Sequence, residues 1–551
     1  MKIYNTNQKR YQKSNLKAIK MASNHQREEL HKAIWSIADD LRGSVDGWDF
    51  KQYVLGIMFY RYISENIANY INKGERRAGD ATFDYANLED SEAEFERDNL
   101  VTEKGFFIRP SELFCNVIKS AKSDSATFTD SEGKTKNIKD NLNEYLEMIF
   151  NNIENSAKGT QSEDDFSGLF DDIDVNSNKL GATVTKRNEK LLKILDGIAG
   201  INLDYKDNDI DAFGDAYEFL MSMYASNAGK SGGEFYTPQE VSELLTKLAI
   251  LDKKEVNKVY DPACGSGSLL LKSAKILGKD NVRNGFYGQE INLTTYNLCR
   301  INMFLHDIGY DKFNIACEDT LTMPKHWDDE PFEVIVSNPP YSIKWAGDDN
   351  AILINDERYS PAGVLAPKSK ADFAFIMHSL SWLAPNGTAS IVCFPGILYR
   401  GGAEQKIRKY LIDNNFIDSI IQLPDNLFFG TSIATCIMVL KKGKKDNSTL
   451  FINASKECVK VTNNNRLTDK NIDNIVKIFK DRKDINHIAK LIPNKEIAQN
   501  NYNLSVSTYV EQEDTREKID IVKLNNEIAQ IVARENELRS EIDKIILEIE
   551  A

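Results

Sequence analysis

The sequence predicts an α/β protein: a doubly wound, Rossmann-like sheet, preceded by an all-helical N-terminal domain and followed by a C-terminal helical tail. Three observations carry this. Between residues 256 and 441 short β-rich runs alternate with helical ones, the pattern of a mostly parallel sheet covered on both faces. From about residue 25 to 155 apolar residues recur at helical spacing, as in Ile34, Ile37, Ala38 and Leu41 and again in Tyr53, Val54, Ile57, Met58 and Tyr60. At the far end Leu524, Ile528, Ile531, Leu538, Ile542, Ile545 and Ile549 fall three, four and seven apart, a narrow apolar seam interrupted only at Glu535.

Taken in order, residues 1–24 form a basic tail expected to be disordered, 25–170 the helical domain, 171–490 the sheet domain, and 491–551 a helical tail whose seam needs a partner helix to cover it. Residues 155–181 are acidic and polar with interspersed Gly and Ser, the composition of a linker or exposed inter-domain segment. Asp172, Asp174, Asn176 and Asn178 imitate the start of a calcium loop, but Ser177 and Thr183 stand where it needs Gly and Glu, so no metal is expected. Candidate strands are 256–260, 285–289, 332–337, 388–394, 416–422 and 434–440.

Composition narrows the function. The chain has 551 residues and a net charge of −14. Affinity for DNA normally comes from clustered Lys and Arg neutralising phosphates, so a chain this acidic grips DNA poorly without a partner. The seven cysteines are scattered with no C-x-x-C pair, and no apolar run is long enough to span a membrane, so a cytoplasmic protein with reduced thiols is expected.

The chemistry gathers at strand ends. The run ending at Tyr260 passes into Asp261, Pro262, Ala263, Cys264, Gly265, Ser266, Gly267 and Ser268, where small residues let a ligand approach the backbone closely. A pyrophosphate-cradling G-x-G-x-x-G is absent, and Asp261 suits a cationic amine, such as that of a methionine moiety, better than a phosphate. Glu290 ends the next strand, where a carboxylate can hold both ribose hydroxyls of an adenosine. Asp319 follows a further β-like run and either meets an adenine ring or caps a turn.

The apolar run 332–336 leads into Ser337, Asn338, Pro339, Pro340 and Tyr341, and consecutive prolines forbid both helix and sheet pairing, which leaves a rigid extended loop. The Asn338 side-chain oxygen and the Pro339 carbonyl can accept hydrogen bonds from an exocyclic amine and localise its lone pair, so catalysis needs positioning but no strong general base. Tyr341 offers a face on which an extruded base could stack. Upstream, Thr237, Pro238 and Glu240 read as a capping box for the following helix, and Phe235 and Tyr236 just before it could pack on a cofactor. Ser369 and Asp372 read as a second capping box.

With DPACGSG at 261–267, Glu290, NPPY at 338–341 and GGEFYTPQE at 232–240 in that arrangement, the chain resembles the S-adenosylmethionine-dependent amino-methyltransferases, in the order of the gamma-class DNA adenine-N6 enzymes. REELHKAIWSIADDLRGSVDGWDF near the N-terminus and SEDDFSGLFDDIDVNSNKLG at 162–181 are similar, more narrowly, to the modification subunits of type I restriction-modification systems. The resemblance implies S-adenosyl-L-methionine held by Glu234, Phe235, Tyr236, Thr237, Pro238, Gln239, Asp261, Gly265, Ser266, Gly267, Ser268, Glu290 and Asp319, and a target adenine held by Asn338, Pro339, Pro340 and Tyr341. It implies double-stranded DNA as substrate, a DNA-specificity subunit, a motor-nuclease restriction subunit and two modification subunits per complex. The alternatives are an amino-methyltransferase acting on protein glutamine or RNA, and a non-catalytic scaffold subunit.

Overall fold

The structure is a computed structural model that describes residues 26, 28–37, 47–203, 212–227, 237–347, 350–428, 432–461, 464–512 and 520–550. The expected basic tail, 1–24, lies outside the described residues. The chain divides into two compact units, Met1–Val510 and Glu511–Ala551.

In the first unit the helical region is built on a long helix, Gly47–Ala78, with Phe114–Ala121, Leu142–Ser156 and Val184–Ala199 around it and a small hairpin of β1 (Thr127–Thr129) and β2 (Thr135–Asn137) at its edge. The apolar positions read from the sequence, Tyr53, Val54, Ile57, Met58 and Tyr60, are all buried, and so are Leu55, Phe59, Tyr62 and Ile63 between and after them, so this part of the helix is enclosed on every side. Tyr60 meets the edges of Phe114 and Phe150 at ring separations of 5.7 and 5.6 Å.

The acidic stretch 155–181 departs from the expectation of an exposed linker. Phe166, Leu169, Phe170, Ile173, Val175 and Leu180 are buried, and Phe170 stacks on Phe150 at 4.5 Å while Phe166 packs on Phe304 at 5.0 Å. The polar residues between them dock onto the helix Leu293–Leu305. Arg300, 1% exposed, donates from Nη1 to the carbonyls of Asp164 (2.7 Å) and Ser167 (3.0 Å), and Asp172 accepts from Thr294 and Asn297. The stretch is a clasp between helical region and sheet, held by apolar anchors that its acidic composition conceals.

The sheet has nine strands: β3 (Val259–Asp261), β4 (Phe286–Glu290), β5 (Phe313–Cys317), β6 (Phe332–Ser337), β7 (Leu383–Cys393), β8 (Ile417–Gln422), β9 (Cys436–Lys441), β10 (Ser448–Asn453) and β13 (Ala489–Pro493). They lie in the order β13-β10-β8-β9-β7-β6-β3-β4-β5. Neighbours from β7 to β5 pair in parallel, as do β8 and β10, whereas β9 runs antiparallel between β7 and β8, and β13 is an antiparallel edge. A hairpin of β11 (Val459–Val461) and β12 (Asn464–Arg466) follows β10.

Alternation along the strands splits the interior into two cores. Val259, Val334, Val336, Ile437 and Val439 face one core, shared with the helical region, while Tyr260, Ile335, Met438 and Leu440 face the other. The helices Gln239–Ile250 and Ser268–Leu277 cover the first face, and Asp372–Trp382 and Ala403–Asp413 the second. Because β3, β4, β5 and β6 are consecutive and parallel, their exits open on one rim.

In the second unit Ile521–Glu550 is one helix of 30 residues, all exposed, including the seam residues Leu524, Ile528, Ile531, Leu538, Ile542, Ile545 and Ile549. No described helix is long and apolar enough to cross a membrane.

Candidate functional site

The rim gathers loops from distant parts of the sequence. The turn after β3 is shaped by Gly265 and Gly267, with φ of +54° and +82°, values that favour glycine. A Cβ on Gly267 would also stand 2.8 Å from the Cys299 Sγ, so the helix Ser268–Leu277 can begin there only without a side chain. Two buried residues pin this turn from behind. Asn302 Nδ2 donates to the Ser266 carbonyl at 2.8 Å, and Thr320 Oγ1 donates to the Pro262 carbonyl at 2.6 Å. Neither stood out in the sequence, because each acts on residues far away along the chain.

Two carboxylates flank the turn. Glu290, at the end of β4, accepts from the backbone N–H of Gly265 at 3.0 Å and of Asn292 at 2.9 Å, which links the exits of β3 and β4. Burial raises its pKa, against those backbone donors. Asp261 is 1% exposed and accepts from the Ala263 N–H at 3.1 Å, while its Oδ2 is buried without a hydrogen bond. Burial pushes its pKa up to about 7, although the Ala263 N–H and the Ser337 hydroxyl beside it pull the other way. Both ends of the Gln239 amide are likewise buried without a hydrogen bond, whereas the buried Ser337 hydroxyl has the Asp261 carboxyl as its neighbour. Buried polar atoms are nearly always satisfied; orphans are scattered through the interior, at Thr246, Trp382 and Ser390 among others, and those at this rim are the ones that adjoin the glycine turn.

Asn338 and Tyr341 leave β6 beside this turn. Asn338 Nδ2 donates to Thr237 Oγ1 at 3.1 Å, and the Tyr341 hydroxyl donates to Asn338 Oδ1 at 2.6 Å. Burial raises the Tyr341 pKa further, with the Cys393 and Cys436 thiols and Asp372 adding to it, so the phenol keeps its proton to donate. Phe428 meets the Tyr341 ring edge-on, at 6.4 Å and 89°. It reaches this position from the loop after β8, a proximity that sequence spacing gives no hint of. Ser342, directly after Tyr341, has φ +52°, and its N–H is held at 3.1 Å by Asp372 Oδ2.

Both capping boxes read from the sequence are replaced by other bonds. The helix after Pro238 begins at Gln239, because Pro238 is extended (φ −52°, ψ +136°), and no side chain caps it. The Thr237 hydroxyl serves Asn338 instead. The next helix begins at Asp372 itself, also without a side-chain cap, and the Asp372 carboxylate serves Ser342. Asp319 accepts from the Leu321 N–H (2.9 Å) and the Thr322 hydroxyl (2.7 Å), the bonds of a turn cap at the exit of β5. Of the other expected site residues, Pro238, Gln239, Asp261, Gly265 to Ser268, Glu290 and Asn338 to Tyr341 lie in the loops and helix starts at this rim, while Glu234, Phe235 and Tyr236 lie outside the described residues.

This arrangement can bind a ligand with a cationic end at Asp261 and vicinal hydroxyls at Glu290, and set beside it an amine facing Asn338. The donor set suits S-adenosylmethionine: Asp261 Oδ2 is a buried acceptor for the amine, and Glu290 is a carboxylate at the next strand exit for the ribose hydroxyls.

Comparison with known proteins agrees with this reading. Residues 208–518 match the N-6 DNA Methylase family, and residues 30–198 match the HsdM N-terminal domain. The chain is 51% identical over 539 residues to the type I restriction enzyme MpnII methylase subunit of Mycoplasma pneumoniae, covering 95% of this chain and 97% of that one. It is 35% identical over 369 residues to the MjaVII methylase subunit of Methanocaldococcus jannaschii, covering 64% of this chain and 63% of that one. Among solved structures, the type I restriction-modification methyltransferase subunit from Streptococcus thermophilus superposes with a TM-score of 0.77 at 35% identity, covering 88% of this chain and all of that one. A type I modification subunit from Vibrio vulnificus shares the fold, with a TM-score of 0.57 at 18% identity over 86% of this chain and 93% of that one.

Proposed function

The chain belongs to the N-6 DNA methylases, as a methylase subunit of a type I restriction-modification enzyme, and on that premise we propose how its residues divide the work of methylating adenine N6 in DNA. Membership decides against the protein-glutamine and RNA alternatives and against an inert scaffold. S-adenosylmethionine is the cofactor, and it supplies an electrophilic methyl group carried on a sulfonium. Asp261 would take its amine and Glu290 its ribose hydroxyls, and the turn Gly265 to Ser268 would line the cofactor. Gln239 offers an unsatisfied amide from the helix start beside Asn338.

Asn338 Oδ1 and the Pro339 carbonyl accept the two hydrogens of the target amine. An sp² oxygen has two lone pairs, so Oδ1 can keep the Tyr341 hydroxyl and still accept from adenine. Pro340 keeps the loop stiff, and Tyr341 stacks on the base once it has left the duplex. The observation that carries this reading is the adjacency of β3 and β6, which hangs the cofactor turn and the Asn338 loop from neighbouring parallel strands. Asn338→Ala should lower methyl transfer to DNA by about 100-fold or more while cofactor affinity stays within about twofold. Labelled transfer and calorimetry on the assembled enzyme measure the two; undiminished transfer by the variant would refute the assignment.

We further infer the partners: a specificity subunit that reads the DNA sequence, a motor-nuclease subunit for restriction, and two methylase subunits per complex, all in the cytoplasm. The net charge of −14 supports this, because a chain that repels DNA needs another to grip it. The helical domain and the sheet domain make up the methylase body, and the Ile521–Glu550 helix is the tail that meets a partner. Removing residues 519–551 should weaken co-purification with the specificity subunit and leave cofactor binding intact. Unimpaired assembly overturns this role for the tail.

A further inference from the structure

An asparagine amide has two ends of similar size and opposite hydrogen-bonding character. If Asn338 turned its NH2 toward the target, donor would face donor, and the acceptor that the chemistry needs would point away. Something must hold the amide one way round, and the loop's backbone cannot do it, since rotation about the last side-chain torsion leaves the backbone untouched. The two hydrogen bonds on Asn338 reveal what does. The contact to Tyr341 is 2.6 Å, normal for O–H···O and short for N–H···O, whereas the contact to Thr237 is 3.1 Å, normal for N–H···O. Oδ1 therefore faces the phenol, and Nδ2 faces the threonine hydroxyl.

We propose that Thr237 is a positioning residue that fixes the Asn338 amide, drawing its NH2 away from the target so that its oxygen is presented to the adenine amine. Thr237 is suited to the task. It is 7% exposed and precedes the extended Pro238, so its backbone cannot drift into the helix that follows. Its hydroxyl is spared from capping because the helix starts one residue later than a capping box requires. Thr237 also lies just upstream of Gln239, whose buried amide has no partner. The residue that orients the target-holding amide is thus part of the same short segment as a cofactor-facing group.

The inference rests on Asn338 being an acceptor for the target amine. The test compares Thr237→Val, which keeps the shape and loses the oxygen, with Thr237→Ser, which keeps the oxygen, each in the assembled enzyme with its specificity subunit. Single-turnover transfer to a DNA site should fall about 10- to 100-fold in Thr237→Val, the cost of one misdirected hydrogen bond at the reacting group, and return to within about threefold in Thr237→Ser. The difference between the two variants should persist at saturating S-adenosylmethionine, which removes any cofactor contact of Thr237 from the readout, and extrusion of the base, read from the fluorescence of 2-aminopurine placed at the target position, should not change in either variant. Normal transfer by Thr237→Val overturns the proposal. So does a loss that saturating cofactor abolishes, one that tracks base extrusion, or one that Thr237→Ser shares, because each assigns Thr237 to binding or packing. If Asn338→Ala were as active as the wild type, the prior reading of Asn338 would fail, which is a separate outcome.

Discussion

Two groups of buried polar side chains near the sheet are treated in opposite ways. Below the rim, Arg358 is 1% exposed and its guanidinium is well satisfied. Nε and Nη2 donate to the Asp356 carboxylate, Nη1 to the Thr320 carbonyl at 2.8 Å and Nη2 to the Leu321 carbonyl at 2.9 Å. Nη1 also meets His378 Nδ1 at 3.2 Å, and His378 Nε2 lies 2.9 Å from the Tyr260 hydroxyl. Burial, with Arg358 and His326 adding to it, drives the His378 pKa well down, so the ring is neutral, accepts at Nδ1 and donates from Nε2 to Tyr260. At the rim, by contrast, Asp261 Oδ2 and both ends of the Gln239 amide are buried without a hydrogen bond. The first cluster is architecture, complete without a ligand; the second is incomplete until one binds.

The comparison can be broken at either end. The largest effect is expected for Arg358→Met, which strands Asp356, two carbonyls and His378 and should cost about 3–5 kcal/mol of stability, measured by urea unfolding. A loss no greater than that of a surface substitution would erase the distinction. Next in size is Asp261→Asn, which should lower affinity for S-adenosylmethionine by about 1.5–3 kcal/mol without lowering stability. The pH dependence sharpens this. With a folded pKa of about 7, Asp261 keeps its proton in the folded chain over a range where the unfolded chain, near pKa ~3.9, has lost it. Stability of the ligand-free protein should therefore fall as pH rises from about 4 to about 7 and level off above, while cofactor binding tightens over pH 5.5–7, since a cationic amine favours the ionised carboxylate. Asp261→Asn should flatten both profiles. The smallest effect is expected for Tyr260→Phe, at about 1–2 kcal/mol of stability and no change in cofactor affinity, because the His378 ring loses one neutral hydrogen bond.

Much of the rim was legible in the sequence because each of its parts is local. Double proline stops β6 at Ser337 as expected, and Gly265 and Gly267 take the positive φ that their turn demands. What escaped was non-local or concealed by composition. Thr237 and Asp372 each carry the pattern of a capping box, yet both helices start too late to use it, and their oxygens are taken by Asn338 and Ser342. The charge of the 155–181 stretch hid the buried apolar residues Phe166, Leu169, Phe170, Ile173, Val175 and Leu180, and ring partners such as Phe304 for Phe166 and Phe59 for Phe170 are remote in sequence. Phe428 reaches Tyr341 because β8 runs in the same direction as β7 and β6, so the loop that follows it lies on the rim where β6 ends.

The Arg358 cluster has a further consequence for the long irregular chain between Ser337 and Asp372. By tying that stretch near its middle to the carbonyls of Thr320 and Leu321, it divides one wide loop into two arcs, and closure entropy grows only with the logarithm of length, about 0.6 kcal/mol for each doubling. Residues added at an exposed point of either arc, such as Ala351 or Gly363, carry little closure penalty while the staple and the pairing of Trp345 with Lys368 stay in place. The border of the target pocket is thus free to vary in reach, and the sheet that supports it need not change.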